Sequence, residues 1–459
     1  MATEISNRTS PKRDWRAISF FTLLLLLHLA TPDYIGDNAM ARFDTTKAVV
    51  IEQRFTIDSF VKNTIDWSHF NNHYYSNKAP GVSLLLVPFY TVAYGIERMI
   101  GIDPLEKEVD KMNLRLTDSF VTAIPSVVLS VLLFLFLKRR TPDLRKAYVI
   151  TLAYSIGTIA FLYASMLWGH QTAAALLFGS FFVLSETKLN MLSGFLFGLS
   201  VLTEYTSALA GLPFIYYIFN RKGTGARGDN WKTLWQFTLG GLPILFFFAY
   251  YNSVCFGSPF ALANRFQNPD ISGGQSEKLL GVMQMPSLMA LFWITFGPIQ
   301  GLYFICPVLL FAWVGFVSWW KCAKARAELV VALSVVLLFF LFNISFDGWF
   351  GGWCAGPRYL VPMLPFLVLP LLFARTAYVF SVLLAVSIVN ILAIAAVDIQ
   401  PKPVMNLLAD RIYLDLLHKP ELWPRFTLLL TAALGMTALA VTSPAVTGKP
   451  DGATEPVSA

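Results

Sequence analysis

The chain has 459 residues, of which 56% are hydrophobic, 15% aromatic and only 14% charged. Soluble domains run near one quarter charged, so the composition excludes an ordinary soluble protein and predicts a multispanning membrane protein. A formal net charge of +7 would suggest nucleic acid in a soluble chain; here it is explained by basic residues holding short loops in the cytoplasm, and no nucleic-acid partner is expected.

The N-terminus carries Lys12, Arg13 and Arg16, then an apolar run from Ala17 to Ala30. Ala39-Met40-Ala41 has the small-x-small form of a cleavage site but lies inside the following polar loop, so an uncleaved first span is expected. Apolar runs then recur to the C-terminus, each long enough, with tilt, to cross a bilayer as a helix. Basic clusters at Arg8 to Arg16, Lys138 to Lys146, Arg221 to Lys232 and Lys321 to Arg326 should all be cytoplasmic. Spans at 17–31, 80–102 and 114–137 together would place Lys138-Arg139-Arg140 outside. The segment from Pro80 to Ile102 contains Pro80 and Pro88 and ends in Glu97-Arg98, so it is read as interfacial or re-entrant.

About twelve transmembrane helices result, at 17–31, 114–137, 148–167, 171–186, 190–203, 205–219, 233–252, 300–320, 328–345, 359–374, 377–397 and 425–443. The fold class is therefore an all-α polytopic membrane protein. A cytoplasmic N-terminus (1–16) precedes one transmembrane domain (17–443), whose first outer loop (32–113) carries interfacial helices. The tail 444–459, rich in Pro, Gly, Ala and Thr, reads as disordered and cytoplasmic.

The polar residues crowd the outer helix ends and the first loop. Asp37 follows the first span closely, so its carboxylate lies near the outer surface, where it could accept a proton from an incoming hydroxyl or amine. Asp44 and Asp66 compete for that role, and an ordinary solvated loop acid is the plain alternative. Lys78 stands where the loop turns back into apolar sequence, beside Ala79-Pro80-Gly81; it suits a phosphate at the interface or, alternatively, snorkels to headgroups. The glycine-rich loop from Asp347 to Tyr359 holds Trp349, Trp353 and Arg358. Arg358 could pair with a lipid phosphate, and the tryptophans could stack on a sugar or serve as belt residues. Glu204 sits between long apolar stretches, a placement that is expensive and hence a functional candidate. His170, in Trp168-Gly169-His170-Gln171, suits a structural hydrogen bond better than a metal. Cys255, Cys306, Cys322 and Cys354 lie far apart in no metal-like spacing. No G-x-x-x-x-G-K, G-x-S-x-G or H-E-x-x-H motif occurs, which disfavours ATP-driven transport, serine hydrolysis and zinc-protease chemistry.

Several elements occur together in one known family. Asp37 and Arg42 after the first span, then Tyr75-Ser76-Asn77-Lys78-Ala79-Pro80-Gly81, Leu202-Thr203-Glu204-Tyr205, Tyr251-Asn252 with Phe256-Gly257-Ser258-Pro259, and Gly351-Gly352-Trp353 with Gly356-Pro357-Arg358-Tyr359 resemble the C-type (GT-C) membrane glycosyltransferases. The likeness is to the branch of protein O-mannosyltransferases and the lipid A aminoarabinose transferase, over about residues 15 to 400. It implies transfer of a sugar from a polyprenyl-phosphate donor to a lipid, glycan or protein acceptor at the outer face of the cell (inner) membrane, usually with inversion. It further implies Asp37 as general base, with Asp44 as the alternative, and Lys78, Arg42 and Arg358 at the donor phosphate. Tyr75, Asp66, His170, Glu204, Trp349 and Trp353 would contact sugar or acceptor. Two departures stand out. The family's Asp-Glu-x-Arg is here Asp37-Asn38 with the arginine five residues on, at Arg42. The second acid common in the next outer loop is replaced by Trp168-Gly169-His170-Gln171, so no metal site is expected, no other cofactor is implied, and a divalent ion finds no support in the sequence. The rival class is a transporter or flippase, which typically shows repeated halves with a midplane site; a non-catalytic scaffold is the third.

Overall fold

The computed structural model describes residues 14–31, 35–221, 227–272, 283–322, 325–374 and 378–443. Most of the expected N-terminal segment and the whole of the expected tail 444–459 lie outside these residues. The chain is an all-α polytopic membrane protein; among the described residues the only sheet is one two-stranded hairpin. Among the described residues five helical stretches are long and apolar enough to cross a membrane: Lys107–Lys138, Asp229–Phe256, Arg326–Ser345, Tyr378–Val397 and Pro420–Val441. Shorter apolar helices lie at Trp15–Ala30, Asn190–Thr203, Pro307–Cys322 and Arg358–Leu372.

Helix α1 (Trp15–Ala30) starts where the Asp14 carboxylate accepts from the Ala17 amide, satisfying one of the free N–H groups of a helix start. Helix α2 (Asp37–Lys47) continues as a π-helical turn over Ala48–Glu52. The long loop after it then forms strands β1 (Trp67–Phe70) and β2 (His73–Ser76), joined by Asn71-Asn72. Both asparagines have positive φ, 49° and 62°, the two-residue geometry that matches the twist of the flanking strands and that Asn tolerates. The hairpin comes in addition to the interfacial helices expected in this loop. The hairpin leaves little trace in the sequence because its strands are four residues each and carry no apolar alternation, and Asn-Asn is a weaker turn signal than Asn-Gly. The outer edge of β1 is covered by the segment after residue 262: Ser68 Oγ donates to the Ala263 carbonyl and the Asn268 amide to that of Trp67, which protects that edge.

Helices α3 (Gly81–Met99) and α4 (Lys107–Val121) follow. With α2 they enclose a small core of Ala39, Phe43, Val82, Leu86, Tyr90 and Leu114. Polar ties cross the same faces: Thr46 Oγ1 to the Ser83 carbonyl at 2.9 Å, Asn113 Nδ2 to Glu97 at 3.0 Å, Lys47 Nζ to Asp110 at 2.9 Å. Helix α3 is not among the stretches long and apolar enough to cross. Helix α4 begins seven residues before the span expected at 114 and gives way at Thr122 to α5 (Ala123–Lys138).

The bundle continues with α6 (Leu144–Gly157), α7 (Gly169–Glu186), α8 (Asn190–Thr203), α9 (Gly211–Asn220) and α10 (Arg227–Phe256). It closes with α11 (Leu288–Thr295), α12 (Leu310–Cys322), α13 (Arg326–Ser345), α14 (Tyr378–Val397) and α15 (Trp423–Val441). The span expected at 148–167 ends at Gly157, with only the short helix Ala160–Tyr163 beyond it. The span expected at 359–374 is three short helical turns interrupted at Pro362, Pro365 and Pro370, since proline removes the amide that would continue each ladder.

Candidate functional site

Helix α7 begins, α8 ends, α3 begins and the turn at Arg358 begins at one end of the bundle. The expected polar residues meet there. Glu204 lies in the turn after α8 and accepts from Arg42 Nη2 at 3.1 Å. The same guanidinium donates through Nε to Asn38 Oδ1 at 3.1 Å and through Nη1 to the Ala79 carbonyl at 3.3 Å. Arg42 thus pins α2, the Lys78 turn and the α8 end together, and it is only 2% exposed. Two glycines allow the approach. A Cβ on Gly81 would sit 2.6 Å from the Thr203 backbone, and one on Gly169 would sit 2.4 Å from Glu204 Oε1.

The hairpin register places Lys78. Trp67 faces Ser76, so Asp66 and Asn77 form the next pair, with the Asn77 amide donating to the Asp66 carbonyl and Asn77 Nδ2 to its carboxylate. One residue further, Lys78 Nζ reaches Asp66 Oδ2 at 3.0 Å. Burial pushes the Asp66 carboxyl up, but Lys78, with Asn77 and Arg358 behind it, outweighs this and holds it below the usual carboxylate range. The Lys78 ammonium is lowered by burial and by the neighbouring Arg358 and Arg42, against the pull of Asp66.

Arg358 completes the group. Its guanidinium lies 4.8 Å from the Trp168 ring centre and 4.9 Å from that of Tyr359, and donates to the Tyr359 hydroxyl at 2.9 Å. Its Nε–H is buried without an acceptor. His170 packs edge-on to Tyr359 and Tyr163, with Nδ1 3.6 Å from Glu204 Oε1. Three permanent or near-permanent cations therefore face two carboxylates across one site. Such an excess suits an anion with planar or tetrahedral oxygens.

Asp37 stands at the rim. It is exposed at the start of α2, and Oδ1 accepts from the Ile65 amide at 2.9 Å while its carbonyl accepts from Thr64 Oγ1. Thr64 Oγ1 in turn accepts from the Asp66 amide, so Asp37 is linked through Thr64 to the partner of Lys78. Asp44 lies elsewhere: fully buried about two helical turns further along α2, 3.0 Å from Lys47 and bonded to Asn63. Burial raises its carboxyl to about 6 against the pull of Lys47 and Asn63.

Other expected contacts separate from the cluster. Tyr75 packs in an aromatic group with Phe256, Tyr251 and Cys255. Trp349 packs against the main core, and Trp353 is exposed with Lys402 Nζ 5.0 Å from its ring centre. Sequence reasoning passed over Asn38, Asn77 and Trp168 as site members. Asn77 and Trp168 each neighbour a highlighted residue, whereas the role of Asn38 needs the i,i+4 spacing to Arg42 to be read on a helix. Among the described residues no group of three or more His, Cys, Asp or Glu is placed to hold a metal ion.

No family model matches the sequence and no curated protein matches it. Solved structures do. ArnT from Cupriavidus metallidurans bound to undecaprenyl phosphate superposes with a TM-score of 0.53 at 13% identity, covering 93% of this chain and 76% of that one. The apo form of the same protein gives 0.50 at 16% identity, covering 93% and 75%. At such identities the likeness is one of fold. The chain shares the fold of that protein over 93% of its length.

Proposed function

We propose that this protein is a glycosyltransferase that moves a sugar from a polyprenyl-phosphate donor to a lipid, glycan or protein acceptor, with inversion. The observation that carries the reading is the convergence of Arg42, Lys78 and Arg358 with Asp66 and Glu204 at one end of a GT-C bundle. In the proposed step the acceptor oxygen or nitrogen attacks the anomeric carbon while its proton passes to Asp37. The bond from that carbon to the phosphate oxygen breaks, and polyprenyl phosphate leaves. The donor phosphate is a diester with one negative charge; the leaving monoester carries close to two at neutral pH. Fixed cations at that phosphate therefore bind the transition state better than the substrate, as catalysis requires.

Asp66 holds Lys78 in place and would exchange it in part for the donor oxygens; Glu204 does the same for Arg42. The basic links at Lys138 to Lys146 and Arg221 to Lys232 favour an inner-membrane protein with cytoplasmic termini and this site on the outer face. Neither a metal nor another cofactor is part of the proposal. The experiment is release of polyprenyl phosphate from a labelled polyprenyl-phosphate sugar by purified wild type, Asp37→Asn and Asp44→Asn. Loss of turnover by about a hundredfold or more in Asp37→Asn alone is expected; unchanged turnover removes Asp37 as the base.

A further inference from the structure

At the end of the bundle opposite Glu204 a second polar cavity of about 830 Å³ opens among the ends of α7, α8, α9, α10 and α13. The two are separated by the length of α8, 14 residues or about 21 Å at 1.5 Å per residue, so the cavity is no part of the site described above. Four cations line it, Lys188, Arg221, Lys232 and Arg326, against two carboxylates, Asp229 and Glu328. Glu328 is engaged by the Tyr217 hydroxyl and faces Arg140. Among the described residues Lys188, Lys232 and Arg326 form no ion pair.

The floor of the cavity holds unsatisfied groups of both kinds. Asn190 is 8% exposed; its Nδ2 donates to Gln236, but its Oδ1 is buried with no donor. Arg221 donates through Nη1 to the Leu184 carbonyl and through Nη2 to Thr233, and its Nε–H is buried with no acceptor. Leaving a buried donor and a buried acceptor unpaired is unfavourable, and a ligand offering anionic oxygens beside a hydroxyl would satisfy both. Trp231 and Trp235 flank Lys232 on α10 and are 63% and 62% exposed, as belt residues at headgroup depth are.

We infer that this cavity binds a phosphate ester carrying hydroxyl groups, with the phosphate on Lys188, Lys232 and Arg326 and a hydroxyl on Asn190. A glycerophospholipid headgroup and a small soluble phosphate ester share this chemistry. The test uses the full-length protein, delipidated in detergent, with dioctanoyl phosphatidylglycerol, its phosphatidylethanolamine counterpart and glycerol 3-phosphate as probes, read by native mass spectrometry and by thermal shift. Phosphatidylglycerol should bind wild type. It should bind Lys188→Gln/Lys232→Gln/Arg326→Gln at least about tenfold more weakly, since each charged hydrogen bond lost is worth roughly that factor. The single variant Lys232→Gln, on the exposed rim, keeps the comparison on folded protein and should fall in between. If glycerol 3-phosphate displaces the lipid, a soluble ester suffices and the site takes it; if it does not, the site takes the lipid headgroup. Equal binding of every probe to wild type and to the triple variant, or equal binding of the two lipids, overturns the inference.

Discussion

Replacing Lys78 by Gln separates a phosphate contact from a structural ion pair. In the resting site the ammonium lies 3.0 Å from Asp66 Oδ2, and the two side chains keep 16% and 14% exposure. If Lys78 serves only Asp66, the loss is structural. Breaking a fully buried pair costs about 3–5 kcal/mol, but this pair is partly hydrated and Asp66 retains Asn77 and its electrostatic neighbour Arg358, so about 1–2 kcal/mol of stability is expected. If Lys78 also holds the donor phosphate, one preorganised contact to the developing charge disappears. That lowers turnover by roughly a hundredfold to a thousandfold, or about 2.7–4 kcal/mol in the barrier. The assay is binding of undecaprenyl phosphate in nanodiscs together with release of labelled polyprenyl phosphate, each for wild type, Lys78→Gln, Asp66→Asn and the double variant. Undecaprenyl phosphate should bind Lys78→Gln at least about tenfold more weakly, and Asp66→Asn should not restore it. A Lys78→Gln protein with a lower melting temperature but wild-type binding and turnover would refute the phosphate role and leave only the ion pair.

The close approach at Gly169 makes a second prediction. An added Cβ would overlap the Glu204 carboxylate, so Gly169→Ala should displace it from Arg42, lower stability by about 1–3 kcal/mol and reduce turnover; unchanged melting and turnover would mean that Glu204 is free to move. Asp44 yields a pH signature. Its folded carboxyl titrates near 6, above the ordinary value of 3.8, so the stability it contributes is fully present below about pH 4 and is lost as pH rises through 6. One pKa unit is worth about 1.4 kcal/mol, so wild type should lose up to about 3 kcal/mol relative to Asp44→Asn between pH 4 and 6, read from melting temperatures at each pH. A difference that stays flat, or grows in the other direction, would contradict a burial cost at Asp44 that exceeds the pull of Lys47 and Asn63.

The membrane class, the spacing of polar links and the candidates Asp37, Arg42, Lys78, Glu204 and Arg358 were legible in the amino-acid order. Apolar length and the scarcity of charge are local properties, and an acid or a cation between apolar stretches is conspicuous wherever the chain later goes. Three features were not legible. The Asn71-Asn72 hairpin has strands too short and too polar to show a period, yet its register is what sets Lys78 against Asp66. The broken helices at Gly157 and Pro362 to Pro370 interrupt runs whose hydropathy is continuous, because backbone geometry rather than polarity ends them. The sorting of the acids also needed the tertiary structure. Asp37 and Asp44 stand seven residues apart on α2, on one helical face but about two turns apart, and that rise leaves one at the rim beside the Asp66 strand and the other in the Lys47 pair. The sequence alone thus determines that polar chemistry lies at the helix ends. Packing across residues more than a hundred positions apart, such as Arg42 on Glu204, decides which of those groups share one site.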